Sequence, residues 1–521
     1  MTLARLFGIL VIGSTLVSGI PLRADDTPGL VEPAPSEGAP GAFTFAAVVR
    51  RAQELATTDY QPDRPALPDY LADLDYDQYR DIRFDRDESL WKAEGLPFQM
   101  QFFPRGFLFK DRVTVNVVEE GVSQVVPFQH DLFDYGRNQV PEEMPADLGF
   151  AGLRLLYPVN RDDMFDEVVV FLGASYFRGV SKGLNYGITA RGLAIDTGLP
   201  TQEEFPIFRE FWVFKPAPDA VDITVFALLD SESVTGAYSF VIRPGIETVM
   251  DVKARLFMRQ SVQKLGIAPL TSMFLHGENT DRFMDDFRPE VHDSDGLLVV
   301  NGTGERIWRP LTNPLGLRVS GFVAENPRSF GLFQRDRTFG HYEDLEAHYQ
   351  NRPSALVEPI GDWGRGTVEL VEIPSDAERY DNIVAYWMPE RKPEPGDELK
   401  LEYRLRFGLD PEAGLLGGRA VSTRIGAAGA DVPDSSRRKF VVDFAGQSLA
   451  QMSPETEVEA VVTSTSGELS QPVVQWNPNT QGWRLFFELR PDGREPADLR
   501  AFLRQGHDVL SETWSYRWVQ E

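Results

Sequence analysis

The sequence contains no cysteine, which excludes disulfide bonds, thiolate nucleophiles, zinc ribbons and iron–sulfur clusters. Positive charge is also scarce: 52 Lys and Arg residues stand against 79 Asp and Glu residues, and the formal charge is −27 at pH 7. This balance argues against nucleic acid or an anionic membrane as the main partner and favours a neutral or cationic ligand. Beyond the N terminus, no apolar run approaches the roughly 18 residues of a membrane span.

Sequence motifs for common cofactors and nucleophiles are missing as well. The run Gly361–Gly366 is too short for a P-loop and lacks the Gly-Lys-Ser/Thr ending, and neither Gly-x-Ser-x-Gly nor His-Glu-x-x-His occurs. The run from His292 to Gly296 resembles a calcium loop, but Val291 and Gly302 occupy the positions that require acidic ligands. We therefore expect no cofactor and no metal site.

The N-terminal segment has the composition of a leader followed by a tether. Arg5 precedes an apolar run, Leu6–Val17, which is too short to span a bilayer and suits the central region of a secretory signal peptide. Ala24 offers a small residue for cleavage, so residues 1–24 are predicted to be a signal peptide, with an uncleaved membrane anchor as the alternative. Residues 25–41 are rich in Pro, Gly, Glu and Ala and indicate a flexible tether.

One helix is predicted near the start of the folded chain, and strands dominate after it. Apolar residues of Phe45–Ala56 recur at helical spacing, with Thr44 in position to cap the helix. Short apolar runs separated by turn-forming residues favour a large antiparallel β-sandwich or barrel over a βαβ fold. The predicted strands include Val113–Val118, Val168–Leu172, Ile223–Leu229, Ser239–Ile242, Leu297–Val300, Val368–Ile373 and Ile383–Trp387. Residues 42–390 are therefore assigned to one large β-sandwich of an all-β protein.

A linker and a smaller domain are predicted after residue 390. Residues 391–398 belong to a polar, proline-rich stretch, and apolar and charged residues alternate strictly from Leu399 to Phe407. This alternation indicates a half-buried strand that opens a new unit, 399–521, whose roughly 120 residues of short strands suit an immunoglobulin-type sandwich. The Gly- and Ala-rich stretch Gly408–Ser436 is predicted to be a long mobile loop.

Two turns rich in carboxylates precede predicted strands. Asp293 and Asp295 lie just before one strand, and Glu378 and Asp381 lie just before another. Such side chains commonly cap their own turn by bonding to the backbone. In an acidic, aromatic-rich β protein with an export signal they also suggest carbohydrate chemistry, because glycoside cleavage needs a proton donor and a base, and carboxyl groups fill both roles. On these residues alone, both interpretations stay open.

Seven sequence segments carry a family resemblance. They are Leu96–Phe103, Asp147–Gly152, Phe171–Arg178, Ala190–Ile195, Arg288–Leu297, Phe330–Arg337 and Asp381–Trp387. In this order they resemble the periplasmic glucan biosynthesis family OpgG/OpgD, also called MdoG/MdoD. The resemblance implies a large N-terminal galactose-mutarotase-like β-sandwich followed by a small immunoglobulin-like β-sandwich. It also implies a periplasmic location and a role with osmoregulated glucans, whose backbone is β-1,2-linked glucose.

The resemblance further implies an activity and its residues. Hydrolytic members resemble anomer-inverting β-1,2-glucan hydrolases, and some relatives resemble transglycosylases that close the glucan into a ring through an α-1,6 bond. By position in the family motifs, Asp381 is the expected general acid and Asp293 the expected base, with Asp295 as the alternative base. Tyr349 and Glu378 are the expected members of a proton relay through water. We expect partial desolvation to keep Asp381 protonated near neutral pH.

Further residues have side chains suited to binding sugar, because aromatic faces stack on sugar C–H surfaces and charged groups bind hydroxyls. The substrate-binding candidates are Tyr176, Arg178, Asp295, Trp308, Arg309, Arg335, Asp336, Arg352 and Trp363, and each also suits a core or a structural ion pair. Three positions depart from the family pattern: Pro104 replaces a common His, Leu356 replaces a usual Trp, and Arg379 replaces a small polar residue. These departures bear on substrate preference and relay geometry rather than on the fold.

Three functions therefore compete. An inverting β-1,2-glucan enzyme, either hydrolase or transglycosylase, is the leading hypothesis. A non-catalytic glucan-binding scaffold and a mutarotase-like enzyme are the alternatives. The resemblance implies the β-1,2-glucan backbone as partner, with an inner-membrane glucan synthase and a second copy of the chain in a homodimer as further candidates.

Overall fold

The computed structural model describes residues 42–141, 144–145, 147–412, 417–429 and 432–520. The predicted signal peptide, 1–24, and the predicted tether, 25–41, lie outside the described residues. Within the described ranges, no helix has the length and apolar character that a membrane crossing requires.

Helices are few and short in the part of the chain that the structure describes. They are α1 (Phe45–Ala56), α2 (Asp69–Ala72), α3 (Tyr76–Asp81), α4 (Phe339–Tyr342) and α5 (Gln447–Ala450), with single 3₁₀ turns at Arg86–Glu88, His130–Leu132 and Tyr349–Asn351. The predicted helix Phe45–Ala56 is confirmed, and its buried residues Val48 and Ala52 pack against the protein. Thr44 occupies the N-cap position, but its side chain makes no capping hydrogen bond.

Strands make up most of the fold, which confirms the all-β prediction. The strands up to residue 300 are β1 (Arg83–Phe84), β2 (Gln99–Phe103), β3 (Thr114–Glu119), β4 (Val122–Val125), β5 (Phe133–Asp134), β6 (Gly152–Arg161), β7 (Met164–Leu172), β8 (Tyr176–Gly179), β9 (Thr189–Arg191), β10 (Leu193–Ile195), β11 (Ile207–Phe214), β12 (Ile223–Asp230), β13 (Val234–Arg243), β14 (Thr248–Met258), β15 (Leu265–Ser272), β16 (Phe274–His276), β17 (Val291–His292) and β18 (Gly296–Val300). The later strands are β19 (Arg306–Pro310), β20 (Arg318–Glu325), β21 (Ser329–Phe333), β22 (Ser354–Ile360), β23 (Arg365–Glu372), β24 (Ile383–Pro389), β25 (Glu398–Gly408), β26 (Arg419–Ala428), β27 (Asp434–Ala445), β28 (Glu459–Ser464), β29 (Glu468–Leu469), β30 (Val473–Asn477), β31 (Gly482–Arg490), β32 (Ala497–Gln505), β33 (Asp508–Val509) and β34 (Thr513–Trp518).

Two large sheets pack face to face around the main core. The ten-stranded sheet runs β2-β6-β7-β8-β9-β15-β24-β23-β20, with β10 added on β15. The fifteen-stranded sheet runs β28-β32-β34-β19-β18-β21-β22-β25-β14-β13-β12-β11-β3-β4, with β33 on β32. Aromatic rings meet between the sheets: the ring centroids of Phe171 and Phe211 lie 5.1 Å apart, and those of Phe177 and Phe240 lie 5.2 Å apart. Burial of such large side chains is the main source of stability for a chain without disulfides.

The C-terminal part adds a second core to the edge of the fifteen-stranded sheet. Strand β34 pairs in parallel with β19 and so joins β28, β32 and β34 to the large sheet. A five-stranded sheet, β26-β27-β31-β29 with β30 on β31, contributes to the same second core. The rings of Phe440 and Phe487 stack there with centroids 5.0 Å apart, and Trp514 and Tyr516 stack at 5.6 Å.

The strand predicted to open the C-terminal unit lies instead inside the large sheet. Strand β25 is hydrogen-bonded to β14 on one side and to β22 on the other. Its apolar residues Tyr403, Leu405 and Phe407 belong to the main core. The alternating pattern correctly indicated a half-buried strand, but alternation does not specify which strands become its neighbours. The galactose-mutarotase-like and immunoglobulin-like domain assignments stay predictions.

More than half of the described residues in the predicted mobile loop Gly408–Ser436 are in strands. Strand β26 covers ten residues of it, and β27 begins at Asp434 and pairs with β26 in antiparallel register. Residues 413–416 and 430–431 lie outside the described residues. The composition was misleading because backbone pairing needs no large side chains, and long-range pairing overrides the low strand preference of Gly and Ala.

Candidate active site

The two predicted catalytic aspartates converge on one short stretch of chain, Met273–Phe274. The backbone N–H of Asp293 donates to the carbonyl of Met273 over 2.8 Å. On the other side, the Asn382 side chain accepts from the backbone N–H of Phe274 (2.8 Å) and donates to its carbonyl (2.9 Å). Asp381 directly precedes Asn382. The sheet order explains this meeting, because β15 pairs with β24 and the following strand β16 pairs with β17.

Asp293 is a buried carboxylate held by an arginine. Its Oδ1 accepts from Nη1 of Arg352, and its side chain is only 6% exposed. Burial raises the pKa of Asp293 to about 6, the Arg352 guanidinium opposes that rise, and the charge of Asp381 adds to it. At neutral pH the carboxyl is therefore mostly ionised and able to accept a proton.

The pKa of Asp381 is raised above that of an ordinary surface aspartate. Its side chain reaches solvent, yet the protein crowded around it desolvates the carboxyl and raises its pKa. The guanidinium groups of Arg178, Arg191 and Arg352 oppose the rise. The direction of the shift is the one expected of a general acid that must carry a proton near neutral pH.

Tyr349 and Glu378 form a direct contact beside this pair. The Tyr349 hydroxyl donates to Oε2 of Glu378 over 3.0 Å, and burial raises the pKa of Tyr349 well above its usual value. The Arg352 guanidinium lies 4.4 Å from the centre of the Tyr349 ring. Arg352 therefore connects Asp293 with the tyrosine. Nη1 of Arg288 donates to the same Glu378 oxygen over 2.7 Å.

Two of the predicted sugar-binding residues, Tyr176 and Arg178, lie near Asp381, and so does Arg191. The Arg191 guanidinium stacks on the Tyr176 ring at 4.7 Å, and the charge of Asp381 contributes to a raised pKa of Tyr176. Arg178 lies over the ring of Tyr186 at 5.3 Å. The sequence analysis did not predict Arg191 as a site residue, although it lies in the family segment Ala190–Ile195. A motif alone does not show which way a side chain faces.

A second group of predicted sugar contacts lies at the junction with the C-terminal strands. Oδ2 of Asp295 accepts from the backbone N–H groups of Arg335 and Asp336, each over 2.8 Å. The Arg335 guanidinium covers the ring of Trp308 at 3.6 Å and donates to Glu512 over 2.5 Å. A cavity of about 30 Å³ remains beside these side chains. That volume suits about one water molecule rather than a glucose unit.

These contacts give the junction residues structural roles. Asp295 caps the backbone of another segment, which leaves Asp293 as the better candidate for the base. Arg309 is 3% exposed, its Nη2 lies 3.4 Å from the Ser320 hydroxyl, and its guanidinium lies 6.0 Å from the ring of Tyr516.

Trp363 is also a core residue rather than a wall of the cleft. Its indole packs on Trp387 and Tyr403, with ring centroids 6.3 and 6.1 Å away. Its Nε1 donates to the carbonyl of Glu402 over 3.2 Å. The sequence does not reveal whether an aromatic side chain contacts a sugar or another ring. The sequence analysis could therefore not tell whether Trp363 binds sugar or packs in the core.

The three residues that depart from the family pattern all contact other residues of the protein. The carbonyl of Pro104 accepts from the Tyr79 hydroxyl over 2.9 Å. Leu356 is 4% exposed and lies in the second core. The Arg379 guanidinium lies over the neighbouring ring of Tyr380 at 4.6 Å.

One group of side chains has atoms close enough to share a cation. Glu290, Asp336 and His341 each offer a ligand atom, and these atoms lie within 4.8 Å of one another. They already have partners, because His341 bonds to Asp336 and Glu290 bonds to Nε2 of His292 over 2.9 Å.

The fold and the site define an all-β sandwich protein with two desolvated aspartates, one directly after β17 and one shortly before β24. Comparison with known proteins then gives the family. Residues 43–518 match the family described as "Periplasmic glucan biosynthesis protein, MdoG", and the chain belongs to this family. The match covers the folded region and both aspartates.

Several relatives match over nearly their whole length. The chain is 49% identical to "Glucans biosynthesis protein G" of Ralstonia nicotianae, over 91% of this chain and 96% of that protein. It is 46% identical to the protein of the same name from Rhodopseudomonas palustris, over 96% and 98% of the two chains. For that of Vibrio cholerae the identity is 48%, over 92% and 87%.

Proposed function

We propose that this protein acts in the periplasm in glucan biosynthesis, as an anomer-inverting enzyme on β-1,2-glucan. Asp381 is the general acid and Asp293 is the general base. The observation that carries the proposal is the convergence of these two aspartates on Met273–Phe274, with the pKa of each raised by desolvation. A neutral polysaccharide also suits a chain with a formal charge of −27.

Each residue has a distinct part in the proposed reaction. Asp381 gives its proton to the glycosidic oxygen as the bond to the anomeric carbon breaks. A water, or a sugar hydroxyl in the transglycosylase version, attacks the same carbon from the opposite face. Its proton passes through ordered water and the Tyr349–Glu378 contact to Asp293. Inverting enzymes with a single water hold their carboxyls roughly 6.5–9.5 Å apart, and a relay removes that limit.

Arg352 acts on the general base, Asp293, and is not a member of the proton relay. An arginine stays protonated in proteins, so it does not pass protons at neutral pH. Its ion pair with Asp293 lowers the pKa of that carboxyl and keeps it ionised despite burial. Arg178 and Arg191 likewise lower the pKa of Asp381. Arg178 is suited to bind a hydroxyl group of the glucan, whereas Arg191 is buried and paired with Glu203 over 2.7 Å.

The deciding experiment incubates the purified mature protein with linear β-1,2-glucan and follows product mass and anomeric configuration. Hydrolysis gives shorter chains, whereas cyclising transfer gives products lighter by one water than linear chains of equal length. We expect Asp381→Asn to remove turnover by at least about 100-fold while circular dichroism stays unchanged. Asp362→Asn is the matched control, because this exposed aspartate lies outside the site, where its Oδ1 accepts from the backbone N–H of Gly364.

Two further assays test the other candidate functions. A non-catalytic scaffold predicts that D381N restores glucan synthesis fully in a strain that lacks this protein. A mutarotase-like enzyme predicts interconversion of free glucose anomers with no change in chain length. Either result would contradict the proposed activity.

A further inference from the structure

Arg288 joins three chain segments through three carboxylates. Its Nε and Nη2 donate to the two oxygens of Asp286 over 3.0 and 2.8 Å, and its Nη1 donates to Asp344 over 2.9 Å and to Glu378 over 2.7 Å. The Arg288 side chain is 13% exposed. One cation therefore holds three anions in a partly desolvated place, where charge-assisted bonds are strongest.

Glu378 receives two donors on one oxygen. Its Oε2 accepts from Nη1 of Arg288 over 2.7 Å and from the Tyr349 hydroxyl over 3.0 Å. The guanidinium therefore fixes the side-chain rotamer that presents this oxygen to Tyr349. Without the cation, repulsion from Asp286 and Asp344 would favour turning the Glu378 carboxylate away.

Arg288 also acts on the segment that carries Tyr349. Oδ2 of Asp344 binds Arg288, while its Oδ1 accepts from the backbone N–H groups of Glu346 and Ala347 over 2.8 and 2.7 Å. The chain then enters the 3₁₀ turn that begins at Tyr349. Both partners of the Tyr349–Glu378 contact thus depend on one guanidinium.

Neighbouring charged groups bear on this cluster. Nε2 of His276 lies 3.9 Å from Oδ2 of Asp286, and desolvation lowers the pKa of His276, which therefore adds little positive charge at pH 7. The Arg352 guanidinium lies over the Tyr349 ring and is paired with Asp293. Arg288 is bound directly to Glu378, whereas Arg352 is bound to Asp293.

We propose that Arg288 is a positioning residue for the reaction, which holds Glu378 against Tyr349 and anchors the Tyr349 segment through Asp344. The inference rests on the proposed function and assigns Arg288 no contact with substrate. It makes the Arg288 cluster part of the reaction's machinery rather than a stabilising ion pair alone.

The test compares Arg288→Gln, Arg288→Lys and wild-type protein by kinetics on linear β-1,2-glucan. We expect R288Q to lower kcat about 100-fold with KM changed less than about twofold, because proton transfer and not binding is affected. R288K retains the charge without the planar fork, and we expect it to recover about tenfold of that loss. Arg404→Gln is the matched control: Arg404 binds Asp251 over 2.7 and 3.3 Å outside the site, and kcat should not change.

A crystal structure of R288Q supplies a readout that needs no activity. We expect the Tyr349 hydroxyl and Glu378 Oε2 to separate beyond hydrogen-bonding distance. An unchanged contact, or a kcat within about twofold of wild type, overturns the inference. If R288Q fails to fold, R288K decides, and a kcat within about twofold of wild type in R288K with the Tyr349–Glu378 contact broken also overturns it. Absence of wild-type turnover would refute the proposed function alone, because the crystal structure still tests the positioning.

Discussion

At the residue scale, the environment of each aspartate gives it a different task. Asp293 is buried and bound to Arg352, whereas the side chain of Asp381 reaches solvent and its carboxyl is desolvated by the surrounding protein. The two carboxyls also influence each other, since the charge of Asp381 raises the pKa of Asp293. Protons therefore leave the pair in two coupled steps, and a pH profile reports on the pair as a whole.

The pH dependence follows from the sign of the Asp293 shift. A base must be ionised, and the Asp293 pKa is about 6, so we expect kcat to fall about tenfold per pH unit below that value. Arg352→Gln removes the cation that lowers this pKa, so the acidic limb of the profile should move to higher pH. The measurement is kcat against pH from 4 to 9 (about five units of range) for wild type and R352Q. An acidic limb that stays in place in R352Q would contradict Asp293 as the base.

Residue types alone could not distinguish site residues from structural ones. Asp293, Asp381, Tyr349 and Glu378 came from motif positions, and the structure brings them to one place. Trp363 has equally suitable chemistry but packs in the core. The difference is set by long-range packing, which a single sequence does not display.

At the element scale, the site depends on how three short strands meet. The sequence pattern predicted the helix α1 well because its apolar residues repeat at helical spacing, and it predicted β24 because a short continuous apolar run suits a strand that is buried on both faces. It did not predict the two-residue strand β17 or its partner β16, which are too short to show a period. Those short strands carry the chain into Asp293.

Asn382 is the side chain that fastens β24 to β16. It makes two bonds to the backbone of Phe274 and donates to the carbonyl of Ile373 over 3.1 Å. We expect Asn382→Ala to lower the free energy of unfolding by about 2–4 kcal/mol and kcat by more than about tenfold, since buried backbone groups lose partners and Asp381 moves. Urea denaturation and kinetics at pH 7 measure both effects.

Asn313 provides the control for this substitution. Its side chain likewise makes three bonds, to the carbonyls of Leu275 and Ser375 and from the N–H of Ser375, at 2.8 to 3.0 Å. Asn313→Ala should lower stability by a similar amount but reduce kcat less, because Asn313 is not adjacent to Asp381. Equal losses of kcat in both variants would show that Asn382 acts only through stability.

At the scale of the whole molecule, a charged junction joins the C-terminal strands to the large sheet. Arg335 binds Glu512 over 2.5 Å and lies 3.4 Å from Glu412, and both glutamates have 0% exposed side chains. Arg306 adds a second cation there. The backbone of Arg335 also bonds to Asp295, two residues from the proposed base, so this junction adjoins the candidate active site.

Breaking the junction should cost much more than breaking a surface pair. Arg335→Gln leaves buried carboxylates short of one cation, and we expect a loss of about 3 kcal/mol in the free energy of unfolding, at the low end for a buried pair because Arg306 remains. Lys92→Gln is the control: Lys92 binds Asp87 over 2.6 Å, but Asp87 is 86% exposed, so water screens the pair and the loss should be much smaller than for R335Q. Urea unfolding at pH 7 measures both. Equal small losses would mean that water already screens the junction, and that the C-terminal strands are held by the apolar contacts of the second core and by the pairing of β34 with β19.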